Sequence, residues 1–311
     1  MSFGDTKKGC LLPKVQKRIL TDISELNKNL DELSESGIYW HIDEENIQKI
    51  WVVITGQEGT PYANAPFLFE FTYPENYPLV PPQCKFCTSD GKTRFNPNLY
   101  VDGKICLSIL GTWSGPSWTP VMTTKTIIMS IIALVMTSEP IRNEPGWENS
   151  SSLDVEEYNL IVEYRSLKVA IIDQLNKCPL VFQPLFEKML ERFKKDYGTI
   201  IARIKKNIGL RDGLDVKPRY GSQWKLNYTD LKNEMEELGK KYGLGLDEEV
   251  EVKRPNEDPK IEIVEPPEKK PKTSASQYDL GYQMELDGLI YVVKENKNGK
   301  KFWRKMISTK N

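Results

Sequence analysis

Histidine is almost missing from this chain: 311 residues contain one, His41. A hydrolase that activates a cysteine or serine normally needs an imidazole within hydrogen-bond reach. His41 lies in a strand-like segment well upstream of the cysteine discussed below, so it reads as a satisfied or surface side chain. Cysteines are few and scattered; five, an odd number, fit a reducing compartment better than a disulfide framework. Long apolar runs are also absent. The longest, Ile127 to Met136, falls far short of the ~20 residues that span a bilayer. The first residues are polar and carry no apolar signal core, so nothing points to secretion. Neither sign of charge is in excess, with 43 Lys+Arg against 44 Asp+Glu, which removes any global electrostatic claim on nucleic acid or membrane. The expectation is a soluble intracellular chain in the cytoplasm, with Lys269-Lys270-Pro271-Lys272 as a weak signal for the nucleus.

What is there is ordinary globular material, 39% hydrophobic and 28% charged, long enough for two domains or one with extensions. From Pro13 to about Leu33, apolar residues (Val15, Ile19, Ile23, Leu26, Leu30, Leu33) recur at helical spacing behind a proline start. Lys14, Lys17 and Arg18 crowd the first turns, where cations oppose the helix dipole. Three runs rich in β-branched and aromatic residues follow, at about 37–42, 47–55 and 65–73, and a fourth at 83–88. Connections this short predict an antiparallel meander. The Tyr77-Pro78-Leu79-Val80-Pro81-Pro82 loop before the fourth strand is stiffened by its prolines. Cys84 and Cys87 resemble half a metal site. On a strand, however, they alternate in direction, and no second pair completes a ligand set.

The reactive candidate is in Arg94-Phe95-Asn96-Pro97-Asn98-Leu99-Tyr100-Val101-Asp102-Gly103-Lys104-Ile105-Cys106-Leu107. Asn-Pro-Asn and Asp-Gly both reverse the chain, so this segment folds back with Cys106 on its far shoulder. Two turns between Asn98 and Cys106 can bring a side-chain amide beside a thiol. That arrangement suits an acyl-thioester: sulfur as nucleophile and leaving group, amide N–H for a developing oxyanion. A buried structural cysteine beside a surface loop fits the same local sequence.

Beyond it come Leu110-Gly111-Thr112-Trp113-Ser114-Gly115-Pro116, Trp118-Thr119-Pro120, an apolar helix predicted at 121–138 and stopped by Glu139-Pro140, and Asn143-Glu144-Pro145-Gly146-Trp147. Together with Pro61-Tyr62-Ala63 and the proline loop, in this order and spacing, these motifs resemble the core of a ubiquitin-conjugating enzyme. The enlarged Leu110–Pro116 loop and the Asn-Glu-Pro-Gly-Trp run are similar to the Z-like branch. The resemblance covers roughly 12–152.

It implies an α+β ubiquitin-conjugating fold: N-terminal helix, four-stranded antiparallel meander, active-site loop and C-terminal helices. It also implies an acyltransferase in the ATP-dependent conjugation pathway. Cys106 would accept ubiquitin or a ubiquitin-like modifier from an activating enzyme and pass it to substrate lysines, usually with a ligase and without metal or organic cofactor. Asn98 would stand at the oxyanion position and Glu144 at the acid near the cysteine. Lys14, Lys17, Arg18, Leu79, Pro81, Thr119 and Pro120 would meet the activating enzyme and ligase. Departures are Asn96 in place of a structural histidine, Leu79 where an aromatic residue is usual, and Ser108 where relatives often have a carboxylate.

Past the core (1–152), helices are expected at about 153–175, 183–207 and 228–242. These form a helical extension (153–245), packed on the core or on themselves. An acidic, proline-rich linker (246–281) leads to a basic β-hairpin tail (282–311). Its Lys297, Lys300, Lys301, Arg304 and Lys305, with Phe302 and Trp303, suit nucleic acid or an acidic protein surface, and docking on the parent domain is an equal alternative. An adaptor that binds ubiquitin without catalysis, and a nucleic-acid-associated protein acting through the tail, are the competing functions.

Overall fold

The computed structural model describes residues 12–245, 283–286, 289–295 and 301–306; the expected linker lies outside the described residues. The chain divides into two units, Met1–Glu249 and Val250–Asn311.

The first unit begins with α1 (Pro13–Lys28), with Pro13 at its first position, where a missing N–H costs nothing. The helix stops short of the expected Leu33. Asn29 leaves helical geometry and turns its Nδ2 back onto the Glu25 carbonyl (2.8 Å), the local competition that disfavours asparagine inside helices. A short α2 (Leu30–Glu35) resumes beyond it. Leu30, expected on the buried stripe, is exposed, whereas Leu33 is buried.

Four strands, β1 (Ile38–Ile42), β2 (Lys49–Thr55), β3 (Pro66–Thr72) and β4 (Gln83–Phe86), form the antiparallel meander in sequence order. Ile38 pairs with Ile54, Thr55 with Pro66, and Phe69 with Phe86. An antiparallel sheet commonly leaves one face to water. Here Ile50 through Ile54 and Phe67 through Phe69 are buried without alternation, so both faces of the central strands are covered.

The extension supplies part of that cover. α4 (Ser152–Arg165) runs on through a π-helical stretch, Ser166–Asp173, into the short α5 (Gln174–Asn176). Gln174 donates to the Pro66 carbonyl (2.8 Å) and accepts from Thr88, whose hydroxyl oxygen accepts the Leu68 N–H. A 3-10 turn, Leu180–Leu185, packs against β1 and β2. Then α6 (Phe186–Arg211) and α7 (Tyr228–Lys241) pack together. A two-residue ladder between them joins β5 (Asp215–Val216) to β6 (Trp224–Lys225). Of the two packings open to these helices, they adopt both: one hydrophobic cluster runs from Val15 through Leu238.

Between sheet and extension, α3 (Thr124–Ser130) is shorter than the predicted 121–138. Thr123 and Thr126 cap its start, and a π-helical stretch, Ile131–Val135, follows. Ile127, Ile128, Ile131 and Val135 of this stretch are buried, whereas Met129 and Leu134 reach solvent. In the second unit the expected hairpin is present as β8 (Leu289–Glu295) and β9 (Lys301–Met306), paired antiparallel, and β7 (Gln283–Leu286) adds a third strand beside β8.

Core and extension are also joined by charge. Asp90, in the loop after β4, pairs with Arg165 of α4 at 2.5 Å. Burial pushes its carboxyl up. The backbone N–H groups of Thr93 and Lys92, the Thr93 hydroxyl and Arg165 outweigh that and bring it down to about 2. With the folded value below the unfolded 3.8, this stabilisation is fully present above about pH 4 and is lost as pH falls through about 2. Asp90→Asn should therefore unfold more readily than wild type in urea at neutral pH, with the difference closing on acidification over that window. A difference independent of pH would contradict the assignment.

Candidate active site

The segment carrying Cys106 is a true hairpin, and β4 holds it. Tyr100 N–H donates to Lys104 O, Gly103 N–H to Tyr100 O, and Cys106 N–H to Asn98 O (2.9 Å). The turn lies against β4, where Phe86 N–H donates to Gly103 O at 2.8 Å. Gly103 has φ +96°, and a Cβ there would come within 2.8 Å of the Phe86 carbonyl and 2.9 Å of Lys85. Only glycine fits so close an approach in that conformation. Phe95, Leu99, Ile105 and Leu107 anchor the hairpin in the core.

Asn98 and Cys106 do come together, but not amide to thiol. Asn98 Nδ2 donates to the backbone carbonyl of Cys106 at 2.9 Å. The side chain thus first closes its own loop. An amide nitrogen carries two hydrogens, so this bond leaves a second N–H on Asn98 Nδ2.

Asn96 is completely buried and uses every hydrogen-bonding site of its amide. Nδ2 donates to Tyr62 OH (3.1 Å) and Val135 O (2.6 Å). Oδ1 accepts from Asn98 N–H (2.7 Å) and Asn143 Nδ2 (3.4 Å). The motif tyrosine Tyr62 in turn donates to Phe95 O. One amide therefore ties the cysteine hairpin to the segment carrying Glu144. That segment begins as a 3-10 turn, Pro140–Asn143. Glu144 is half-buried, and its Oε2 accepts from Tyr220 of the extension at 2.8 Å, a partner the sequence did not announce.

The partner-surface candidates form a second cluster. Leu79 is 74% exposed; Lys14, Lys17, Thr119 and Pro120 are also exposed, and Pro81 is half-buried. Arg18 is not a free cation: it pairs with Asp22 (2.8 Å) and donates to the carbonyls of Pro120 and Met122. Asp22 is 1% exposed and also accepts from Tyr77 OH and from Thr124. Trp118 Nε1 donates to Pro78 O at 2.8 Å. These bonds join the start of α1, the proline loop and the Trp-Thr-Pro segment into one face. A carboxylate inside the apolar stripe of α1, next to Ile23, was the available signal for this hub. Cys84 and Cys87 are half-buried beside the core.

Residues 18–164 match the family model described as ubiquitin-conjugating enzyme. Probable ubiquitin-conjugating enzyme protein 17 of Caenorhabditis elegans is 40% identical over 56% of this chain and 25% of its own length. Human ubiquitin-conjugating enzyme E2 Z is 35% identical over 73% of this chain and 62% of its own. A structure of human ubiquitin-conjugating enzyme E2 G1 is 32% identical, covering 40% of this chain and 95% of that one, with a TM-score of 0.34. The core of this chain belongs to the ubiquitin-conjugating enzyme family, a family of acyltransferases. Within that family its relatives place it on the Z-like branch. The chain spans a quarter of the nematode relative and about three fifths of the human one.

Burial raises the thiols of Cys84, Cys87 and Cys178, the latter two to about 11. All three are therefore held protonated and unreactive near neutral pH. Cys106 is only 1% exposed, and the enlarged loop 111–117 returns beside it. The Thr112 hydroxyl donates to Ile105 O (2.6 Å) and accepts from Leu107 N–H (2.9 Å), bracketing the cysteine on both sides. Gly115 lies against Ser108; a Cβ there would meet Ser108 Cβ at 3.0 Å. Otherwise the loop is exposed along its length, so the threonine is its main tether. A net hydrogen bond is worth about 1 kcal/mol, roughly fivefold in an opening equilibrium. Thr112→Val should accelerate alkylation of Cys106 by about that factor, measured by mass spectrometry under native conditions. An unchanged rate would show that the loop does not limit access to the sulfur.

Proposed function

We propose that this chain is a thioester carrier in the cytoplasm or nucleus, accepting ubiquitin or a ubiquitin-like modifier on Cys106 and delivering it to lysine. In loading, the Cys106 thiolate attacks the carbonyl of the activating enzyme's thioester. A new C–S bond forms and the activating enzyme's thiolate leaves. In transfer, a neutral lysine amine attacks the Cys106 thioester. The C–N bond forms, the Cys106 thiolate departs, and the amine gives up its surplus proton to solvent or a nearby base.

The observation that carries this reading is the hairpin that fixes Asn98 against the Cys106 backbone. A thioester is already activated, so the site has only to stabilise an oxyanion and orient an amine. Asn98 retains a donor for the first task. Glu144, tied through Asn143 and Asn96 to the same hairpin, serves the second by accepting a hydrogen bond from the incoming amine. The face built on Asp22 presents Leu79, Lys14, Lys17 and Thr119 for the activating enzyme and the ligase, with Arg18 stiffening it from behind.

Two substitutions test the assignment. Cys106→Ser should trap the modifier as an ester that survives thiol reagents, seen as a shifted band in reducing gels. Asn98→Ala should slow discharge to lysine by roughly a hundredfold, the scale of losing one oxyanion donor, while loading falls much less. Equal losses in both steps would leave Asn98 a purely structural residue.

A further inference from the structure

The loop between β5 and β6 belongs to the extension, yet it reaches the acid of the proposed site. Its base is pinned by Gly213 N–H to Leu226 O (2.8 Å) and Leu226 N–H to Leu214 O (2.9 Å). Trp224 then lies under the Arg165 guanidinium at 4.2 Å. At its tip, Arg219 covers Trp147 at 5.5 Å and pairs with Asp154 at 3.6 Å. The ring of Tyr220 packs on Trp147 (5.7 Å) and Tyr158 (5.8 Å), and Tyr158 is itself fixed by donating to Arg94 O. Ring packing thus holds Tyr220 from two sides. Its hydroxyl has a separate use, the hydrogen bond to Glu144 Oε2.

We propose that Tyr220 is a positioning residue for lysine transfer, selecting the one Glu144 rotamer that receives the substrate amine. This rests on the reading of Cys106 as the thioester nucleophile and deepens it by assigning the extension a part in the second step. A glutamate side chain has three rotatable bonds and loses considerable entropy when fixed; the tyrosine fixes it before the substrate arrives. An ionised carboxylate offers about four acceptor sites, so one bond to Tyr220 leaves others for an amine. Burial, then the hydrogen bond to Glu144, hold the Tyr220 hydroxyl well above the usual tyrosine range. It therefore remains a donor at any pH where lysine transfer proceeds. Arg94, just before the cysteine hairpin, and Tyr100, within it, act electrostatically on the same hydroxyl, so Tyr220 stands where extension, acid and hairpin meet.

Tyr220→Phe keeps the ring and removes only the bond. The test uses the full chain charged with an activating enzyme, its modifier and ATP, then chased with free lysine over a range of concentrations. Tyr220→Phe should form the thioester and then need about tenfold more lysine for half-maximal discharge, the scale of one hydrogen bond to a charged group. In a Glu144→Ala background the same change should add nothing. Unchanged lysine dependence in Tyr220→Phe would overturn the proposal, as would an equal loss in the Glu144→Ala background. If the wild-type chain is never charged, the Cys106 reading itself falls, and this inference with it.

Discussion

Two hydrogen bonds close the hairpin on which the site depends: the Asn98 side chain to the Cys106 carbonyl, and the Cys106 amide to the Asn98 carbonyl. Together they hold the proposed nucleophile, Cys106, in a backbone that has almost no regular secondary structure. The loop between them reverses twice. Gly103, pressed against β4, makes the second reversal possible. Asn96 supports the first from below, with all of its amide engaged in the core. Side-chain amides, which stay uncharged and offer both donors and acceptors, thus do the structural work around the hairpin.

Chemistry and recognition occupy different parts of the same domain and have different supports. The proposed chemistry is held by amide hydrogen bonds and a packed hairpin. The proposed docking face is held by a buried carboxylate, Asp22, that gathers Arg18, Tyr77 and Thr124. Such a buried charge stabilises only while its partners are in place, so the relative positions of α1, the proline loop and the start of α3 are tightly coupled. The extension is not an appendage to this arrangement. It covers the sheet through Gln174, anchors to Asp90 through Arg165, and reaches Glu144 through Tyr220.

Much of this was legible in the residues. Turn dipeptides announced the cysteine hairpin, because Asn-Pro-Asn and Asp-Gly have few other conformations available. Period-two and near-continuous apolar runs gave the meander, and helical spacing gave α1, α6 and α7. What escaped was set by partners distant in sequence. Arg18 read as a free cation because the carbonyls of Pro120 and Met122 that bind it lie over a hundred positions away. That the Asn98 amide bonds the Cys106 carbonyl also depends on local backbone geometry that the turn residues alone do not specify. The break at Asn29 depended on one side chain competing with its own helix. Tyr220 sits in a loop without periodicity, 76 positions from its glutamate, and no local pattern marks it. The unbroken burial of Ile50–Ile54 did carry a signal: a run apolar on both faces requires cover on both, and the extension provides it.

The central claim is that the Cys106 sulfur carries an acyl group. Mixing the full chain with each activating enzyme, its modifier and ATP, then digesting without reductant and mapping the adduct by mass spectrometry, tests it directly. The account predicts one DTT-labile adduct, on Cys106, with at least one activating system. An adduct on another cysteine, or none with any system, would contradict it.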